Sequence, residues 1–161
     1  MLSSAILETA AALLDACRER GIRLATAESC TGGLIAAALT AIAGSSDVVD
    51  CGFITYSNDA KTELVGVPPD TIARHGAVSE DVARAMAAGA LAHSRANIAV
   101  SVTGLAGPGG GSFEKPVGMV WFGLAQRDRS VAAERQIFPG DRAAVRAAAV
   151  AHALAMISAR L

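Results

Sequence analysis

The segment Glu28-Ser29-Cys30-Thr31-Gly32-Gly33 has the residue types of an acyl-transfer site. A small hydroxyl nucleophile stands between a β-compatible stretch, residues 22–27, and a helix-forming one, residues 34–42. The two glycines permit close approach of a ligand. The first amides of a helix have no internal partner and sit at the positive end of its dipole. They therefore suit a phosphate, or the oxyanion of a tetrahedral intermediate beside an attacking Ser29. The same residues also make an ordinary serine N-cap with two packing glycines. Both readings stand on the pattern alone.

A serine nucleophile needs a base. Lys61 ends the run Tyr56-Ser57-Asn58-Asp59-Ala60-Lys61, 32 residues after Ser29. A lone lysine is ordinarily a solvated charge. As a base it must be neutral, which requires burial to lower its pKa from about 10.4 to about 7–8 at a cost of about 4 kcal/mol. Cys30 is an alternative nucleophile, but a thiolate needs a nearby histidine or cation, and a small buried cysteine is the plainer reading. The stretch Thr103-Gly104-Leu105-Ala106-Gly107-Pro108-Gly109-Gly110-Gly111 ends in neither the Gly-Lys-Ser/Thr of a P-loop nor the third glycine and helix of a dinucleotide fold. It is a flexible loop or an anion-binding one. Arg142 follows Gly140-Asp141 at the start of a helix, where it would clamp a phosphate or lie exposed. His75, His93 and His152 fit no zinc spacing, so no metal is predicted. His93 falls near a helix C-terminus, and His152 beside an apolar helix face as a core or subunit contact.

These groups need a scaffold to bring them together. Apolar residues from Ile6 to Cys17 at helical spacing, behind Ser3 and Ser4 and before Gly21, predict a first helix. Strands are predicted over 22–27, 48–56 and 98–103, and a hairpin over 119–126 and 131–138. Further helices are predicted over 34–42, 60–64, Ser79 to His93 and from Asp141 onward, with Val67-Pro68-Pro69 as a stop. Helices precede, separate and follow strands. The fold class is therefore α/β, a three-layer α/β/α sandwich with a mixed central sheet.

The composition excludes several functions. Of 161 residues, 36 are alanine and only 4% are aromatic, so the core must form by close backbone approach of small side chains. With 14 basic and 15 acidic side chains there is no basic stripe for nucleic acid or anionic membrane, and one Trp and one Tyr offer bases little to stack on. Mean hydropathy is +0.41, yet no apolar run reaches the 18 residues of a membrane span. The N-terminal stretch, interrupted by Glu8 and Asp15, lacks a signal-peptide pattern. Three unpaired-looking cysteines (Cys17, Cys30, Cys51) favour a reducing compartment. The expectation is a cytoplasmic domain that binds neither nucleic acid nor membrane.

Six segments in order resemble one family: Thr26-Ala27-Glu28-Ser29-Cys30-Thr31-Gly32-Gly33, Gly44-Ser45-Ser46, Thr55-Tyr56-Ser57-Asn58-Asp59-Ala60-Lys61, Gly76-Ala77-Val78-Ser79-Glu80, Thr103 through Gly110, and Lys115-Pro116-Val117-Gly118. They are similar to the motifs of the CinA C-terminal domain family, the PncC-type nicotinamide-nucleotide amidohydrolases. The likeness covers nearly the whole chain, residues 1–161 as one domain. It implies hydrolysis of the carboxamide of nicotinamide mononucleotide by a Ser–Lys mechanism in pyridine nucleotide salvage, with no cofactor and a homo-oligomeric state. By position, Ser29 would be the nucleophile, Lys61 its general base, and Tyr56 an orienting group. Cys30, Thr31, Gly32, Asn58, Thr103, Gly104, Ala106, Gly107 and Arg142 would bind substrate. Of these, Thr103, Gly104 and the amides after Ser29 would line the oxyanion or phosphate side, with Arg142 on the phosphate. Ala43 stands where the family often has Pro, and Cys51 lies in a middle strand. The molybdopterin-binding-like domain of longer members is not matched, which implies the stand-alone form. Members named for competence and DNA damage supply the alternative, a nucleotide-binding or regulatory module without turnover.

Overall fold

The computed structural model describes residues 2–161. The side chain of Ser3 caps α1 (Ser4–Glu19), accepting a hydrogen bond from the Ile6 amide at 3.3 Å. The buried residues Ile6, Ala10, Leu13, Leu14 and Cys17 recur every three or four positions, so α1 presents one apolar stripe. The first strand, β1 (Leu24–Glu28), begins two residues later than its pattern predicts. The Ile22 amide instead donates to the Cys17 carbonyl and closes the end of α1.

After β1 come α2 (Leu34–Thr40), a 3₁₀ turn at Ser45–Asp47, and β2 (Val49–Ile54). Three helices follow: α3 (Asn58–Val65), α4 (Pro69–His75) and α5 (Glu80–Ala92). Then come β3 (Ile98–Gly104), β4 (Met119–Gln126), β5 (Ala132–Ile137) and α6 (Arg142–Ser158). The helix α3 ends before Val67-Pro68-Pro69, as the sequence predicts, but α4, which the pattern does not predict, begins at once on Pro69. Pro69 occupies the first helical turn, where a missing N–H costs nothing and a fixed φ is preorganised.

The sheet order is β2-β1-β3-β4-β5. β1 runs parallel to β2 and β3, while β4 is antiparallel to β3 and to β5, which gives the mixed sheet and the hairpin that the sequence predicts. Helices α1, α2 and α6 cover one face, around Leu14, Ile35, Val100, Phe122, Val150 and Leu154. On the other face α3, α4 and α5 enclose a smaller core of Val65, Ile72, Val82, Met86 and Ala99. Full burial of each large side chain contributes about 1.5–3 kcal/mol. Small residues let the α5 layer close: a Cβ on Gly123 of β4 would collide with the Ala83 carbonyl of α5.

Two consequences bear on the site. First, β1 lies between β2 and β3, and the chain leaves it on one face through α2 and returns on the other through α5. The C-terminal ends of β1 and β3 therefore flank the point where the winding changes side, where open α/β sheets form ligand crevices. Second, side chains alternate along β1. Ala25 and Ala27 join the α5 core, so Glu28 belongs to the α2 face and Ser29 lies just past the strand.

Candidate active site

Ser29 is pinned at the strand end, its amide donating to the Val102 carbonyl of β3 at 2.9 Å. The next residues form a β-turn in which the Gly32 amide donates to the Ser29 carbonyl at 3.0 Å. The chain then enters α2 through Gly32 (φ 61°) and Gly33 (φ 99°), left-handed conformations that favour glycine. The half-buried Ser29 hydroxyl lies 3.2 Å from Lys61 Nζ.

Lys61 reaches this point from the first turn of α3, which Ser57 caps by accepting from the Ala60 amide at 3.0 Å. Only 1% of its surface is exposed, and Nζ donates its second hydrogen bond to the Thr55 carbonyl at 2.8 Å. Burial lowers its pKa from the ordinary lysine value, and only the potential of Cys30 opposes this. Cys30 supplies no such charge near neutrality, because burial raises its own thiol to about 11 despite the neighbouring Arg146 and Lys61. With Thr55 holding one N–H, a neutral Nζ has its lone pair free for the Ser29 hydroxyl. The fold thus turns a lysine that the sequence alone would leave solvated into a buried amine beside the Ser29 hydroxyl, and keeps the Cys30 thiol protonated near neutrality.

Glu28 corrects the expectation that the first amides of α2 stand open for an anion. Its carboxylate, 1% exposed, accepts from Gly33 and Ile35 through Oε2 at 3.1 and 3.0 Å, and from Ala36 through Oε1 at 2.8 Å. Gly33, at the N-cap, has no side chain to do this, so the preceding strand supplies the cap. Among the described residues, the amides of Cys30 and Thr31 are the ones in this turn with no partner in another residue. They are the central residues of the turn, whose N–H groups point outward.

A cavity of about 620 Å³ is lined by Ala106, Pro108, Val117 and the start of α6, including Arg142 and Arg146. Neither Ser29 nor Lys61 lines it, and Arg146, bonded to the Cys30 and Thr31 carbonyls, connects it to the turn. Its volume suits a small-molecule ligand. Arg142 donates to the Gly107 carbonyl at 2.9 Å and to the Tyr56 hydroxyl at 3.0 Å, so it is held rather than loose. Its cation at a helix N-terminus opposes the dipole, and departures from a local rule of this kind are expected at functional sites. Tyr56, 60% exposed, meets Arg142 and not the Ser29–Lys61 pair. Ala106 and Gly107, both buried, have amides without a hydrogen-bond partner among the described residues.

The remaining predicted residues are placed less centrally. The Thr103 hydroxyl, 1% exposed, donates to the Ala77 carbonyl at 2.8 Å, and Gly104 is paired in the β3–β4 ladder against Val120. The Gly32 amide is spent inside the turn. Asn58 is exposed and lines a separate depression between α3 and α4, so it does not share the Arg142 cavity. His93 caps α5, and His152 pairs with Glu134 while its ring packs 4.6 Å from Phe122. Two residues escaped the sequence reading. Glu28 was legible as the one charge ending the small-residue strand LATAE. Arg146 was legible as a second cation one turn after Arg142 on the same helix face.

Known proteins resemble this chain in sequence and in fold. Residues 7–161 match the CinA C-terminal domain family. The chain is 50% identical over 154 residues to the nicotinamide-nucleotide amidohydrolase PncC of Escherichia coli (strain K12), covering 96% of this chain and 93% of that one. It is 55% identical over 139 residues to the Enterobacter agglomerans protein of the same name, covering 86% and 85%. The crystal structure of the competence/damage inducible protein CihA from Agrobacterium tumefaciens superposes with a TM-score of 0.96 at 49% identity, covering 99% of this chain and 97% of that one.

Proposed function

This chain belongs to the CinA C-terminal domain family, and from that premise we propose that it hydrolyses the carboxamide of nicotinamide mononucleotide to nicotinate mononucleotide and ammonia. The observation that carries the mechanism is the buried Lys61 Nζ at 3.2 Å from Ser29 Oγ.

Neutral Lys61 takes the hydroxyl proton as Ser29 Oγ bonds to the amide carbon, and the carbonyl π electrons move onto oxygen. The amides of Cys30 and Thr31 stabilise that oxyanion. On collapse the C–N bond breaks, and the leaving nitrogen takes the proton from the Lys61 ammonium and departs as ammonia. Water then adds to the acyl-serine, giving its proton to Lys61. The second collapse breaks the C–Oγ bond, returns the proton to Ser29 and releases the carboxylic acid. Each step uses one amine as base and then acid, so no second titrating side chain is needed.

The phosphate side of the substrate falls to Arg142 and the unpaired amides of Ala106 and Gly107. This local arrangement suits one small anion on a protein of net charge −1. Support for the homo-oligomer comes from the unpaired edge of β2, where Ile54 is 54% exposed.

Ser29→Ala should abolish ammonia release from the mononucleotide with the thermal midpoint unchanged. Ammonia release from the mononucleotide, its riboside and NAD in parallel ranks the substrates. Retained turnover in Ser29→Ala refutes the mechanism, and tight nucleotide binding without turnover in the wild type favours the regulatory module instead.

A further inference from the structure

The two amides left open in the Ser29 turn are aimed by whatever holds the opposite edges of their peptide planes. A trans peptide is planar, with C=O and N–H antiparallel. The Ser29 carbonyl, held by the Gly32 amide, therefore sets the direction of the Cys30 N–H. The Cys30 carbonyl sets the direction of the Thr31 N–H, and its partner lies 116 residues away on α6. Arg146 Nε donates to the Cys30 carbonyl at 3.1 Å, and Nη2 donates to the Thr31 carbonyl at 2.9 Å. The guanidinium lies against the turn, with Nη2 at 3.6 Å from where a Cβ on Gly32 would stand.

We propose that Arg146 is a positioning residue for acyl transfer, fixing the Thr31 amide as an oxyanion donor through the Cys30 and Thr31 carbonyls. The inference rests on Ser29 being the nucleophile. The alternative outcome of rotating this central peptide is a type II turn, which needs φ > 0 at Thr31. A β-branched residue resists that conformation, so Thr31 blocks a full flip and Arg146 removes the remaining tilt. Arg146 also lines the cavity beside Arg142, where a phosphate contact is the competing role. Its Nε–Nη2 edge, one of the two kinds of edge by which a guanidinium grips an oxyanion bidentately, is already spent on the turn. That commitment favours positioning.

The test compares Arg146→Gln and Arg146→Lys with wild type and Arg142→Gln. Thermal unfolding, ammonia-release kinetics on the mononucleotide, and the rate at which a small fluorophosphonate labels Ser29 are measured for each. The fluorophosphonate carries no nucleotide, so its reaction reads the nucleophile and oxyanion donors without the phosphate site. Arg146→Gln should lose about 10- to 100-fold in kcat with KM near wild type, and Ser29 labelling should slow by a similar factor. Arg146→Lys, with one point donor, should recover part of the loss, whereas Arg142→Gln should chiefly raise KM. A raised KM with wild-type labelling in Arg146→Gln makes the residue a phosphate ligand and overturns the proposal. Losses that vanish when assayed well below each variant's unfolding midpoint make it merely structural, and also overturn it. Wild-type protein that labels at Ser29 but releases no ammonia refutes the substrate alone, and labelling then decides the role of Arg146. Failure of the wild type to label at Ser29 refutes the nucleophile and the proposal together.

Discussion

Lys61→Met separates the two things a buried lysine does here. Methionine matches the unbranched length of the side chain and fills its path, so the packing around a residue only 1% exposed is largely kept. The Thr55 carbonyl loses its partner, which costs about 1–3 kcal/mol for a buried acceptor left unpaired. Against that, the variant no longer desolvates an amine. The two effects oppose, and the net change at neutral pH should stay within about 2 kcal/mol, or about 4–8 °C in the unfolding midpoint for a chain of this size. Activity should fall by about 10²- to 10⁴-fold, the usual worth of a positioned general base.

The pH dependence gives the sharper result. Burial lowers the folded-state pKa of Lys61 below its unfolded value of about 10.4, so between those two values the unfolded chain binds more protons. Stability of the wild type must therefore rise with pH through that window, and the penalty is fully present below it. The slope attributable to one proton is at most about 1.4 kcal/mol per pH unit. Denaturant unfolding of wild type and Lys61→Met, repeated from pH 6 to pH 10, should show the wild type gaining on the variant as pH rises. A difference that is flat with pH, or that moves the other way, means the amine is not desolvated in the folded state. The case for Lys61 as a neutral base would then fail.

Two further outcomes follow from the turn. Glu28→Gln replaces an acceptor oxygen with an amide group facing N–H donors, so it should destabilise by about 1–3 kcal/mol, and an unchanged thermal midpoint would refute the cap. The Cys30 thiol, pushed up to about 11, should be only about 0.1% thiolate at pH 8, and its alkylation by iodoacetamide should accelerate about tenfold per pH unit between 8 and 10. Peptide mass spectrometry reads the rate; fast labelling at pH 8 with parallel loss of turnover would make Cys30 the nucleophile.

The sequence yields the scaffold because its signals are local. Ser3, Ser79 and Asp141 cap their helices by accepting from amides three residues on, and glycines and turn residues separate the strands. The helix α4 was missed because two adjacent prolines signal a break, although a helix can begin on one. The first amides of α2 differ from expectation for a related reason: Gly33 at the N-cap has no side chain, and Glu28 reaches in from the preceding strand.

For the site, residue type and order along the chain suffice to name Ser29 at a strand-to-helix turn and to nominate Lys61. They do not say whether that lysine is solvated. Its charge state depends on its burial and on the Thr55 carbonyl, which the pairing of β2 with β1 carries to the end of β1 beside Ser29. Likewise, Arg142 and Arg146 are merely two cations on a helix until α6 packs against α2 and brings them to Tyr56, Gly107 and the Ser29 turn. Short-range propensity and capping act within a few residues and are written in the chain. Desolvation, and hydrogen bonds such as those from Lys61 to Ser29 and from Arg146 to Cys30, which span 32 and 116 residues, exist only in the folded protein.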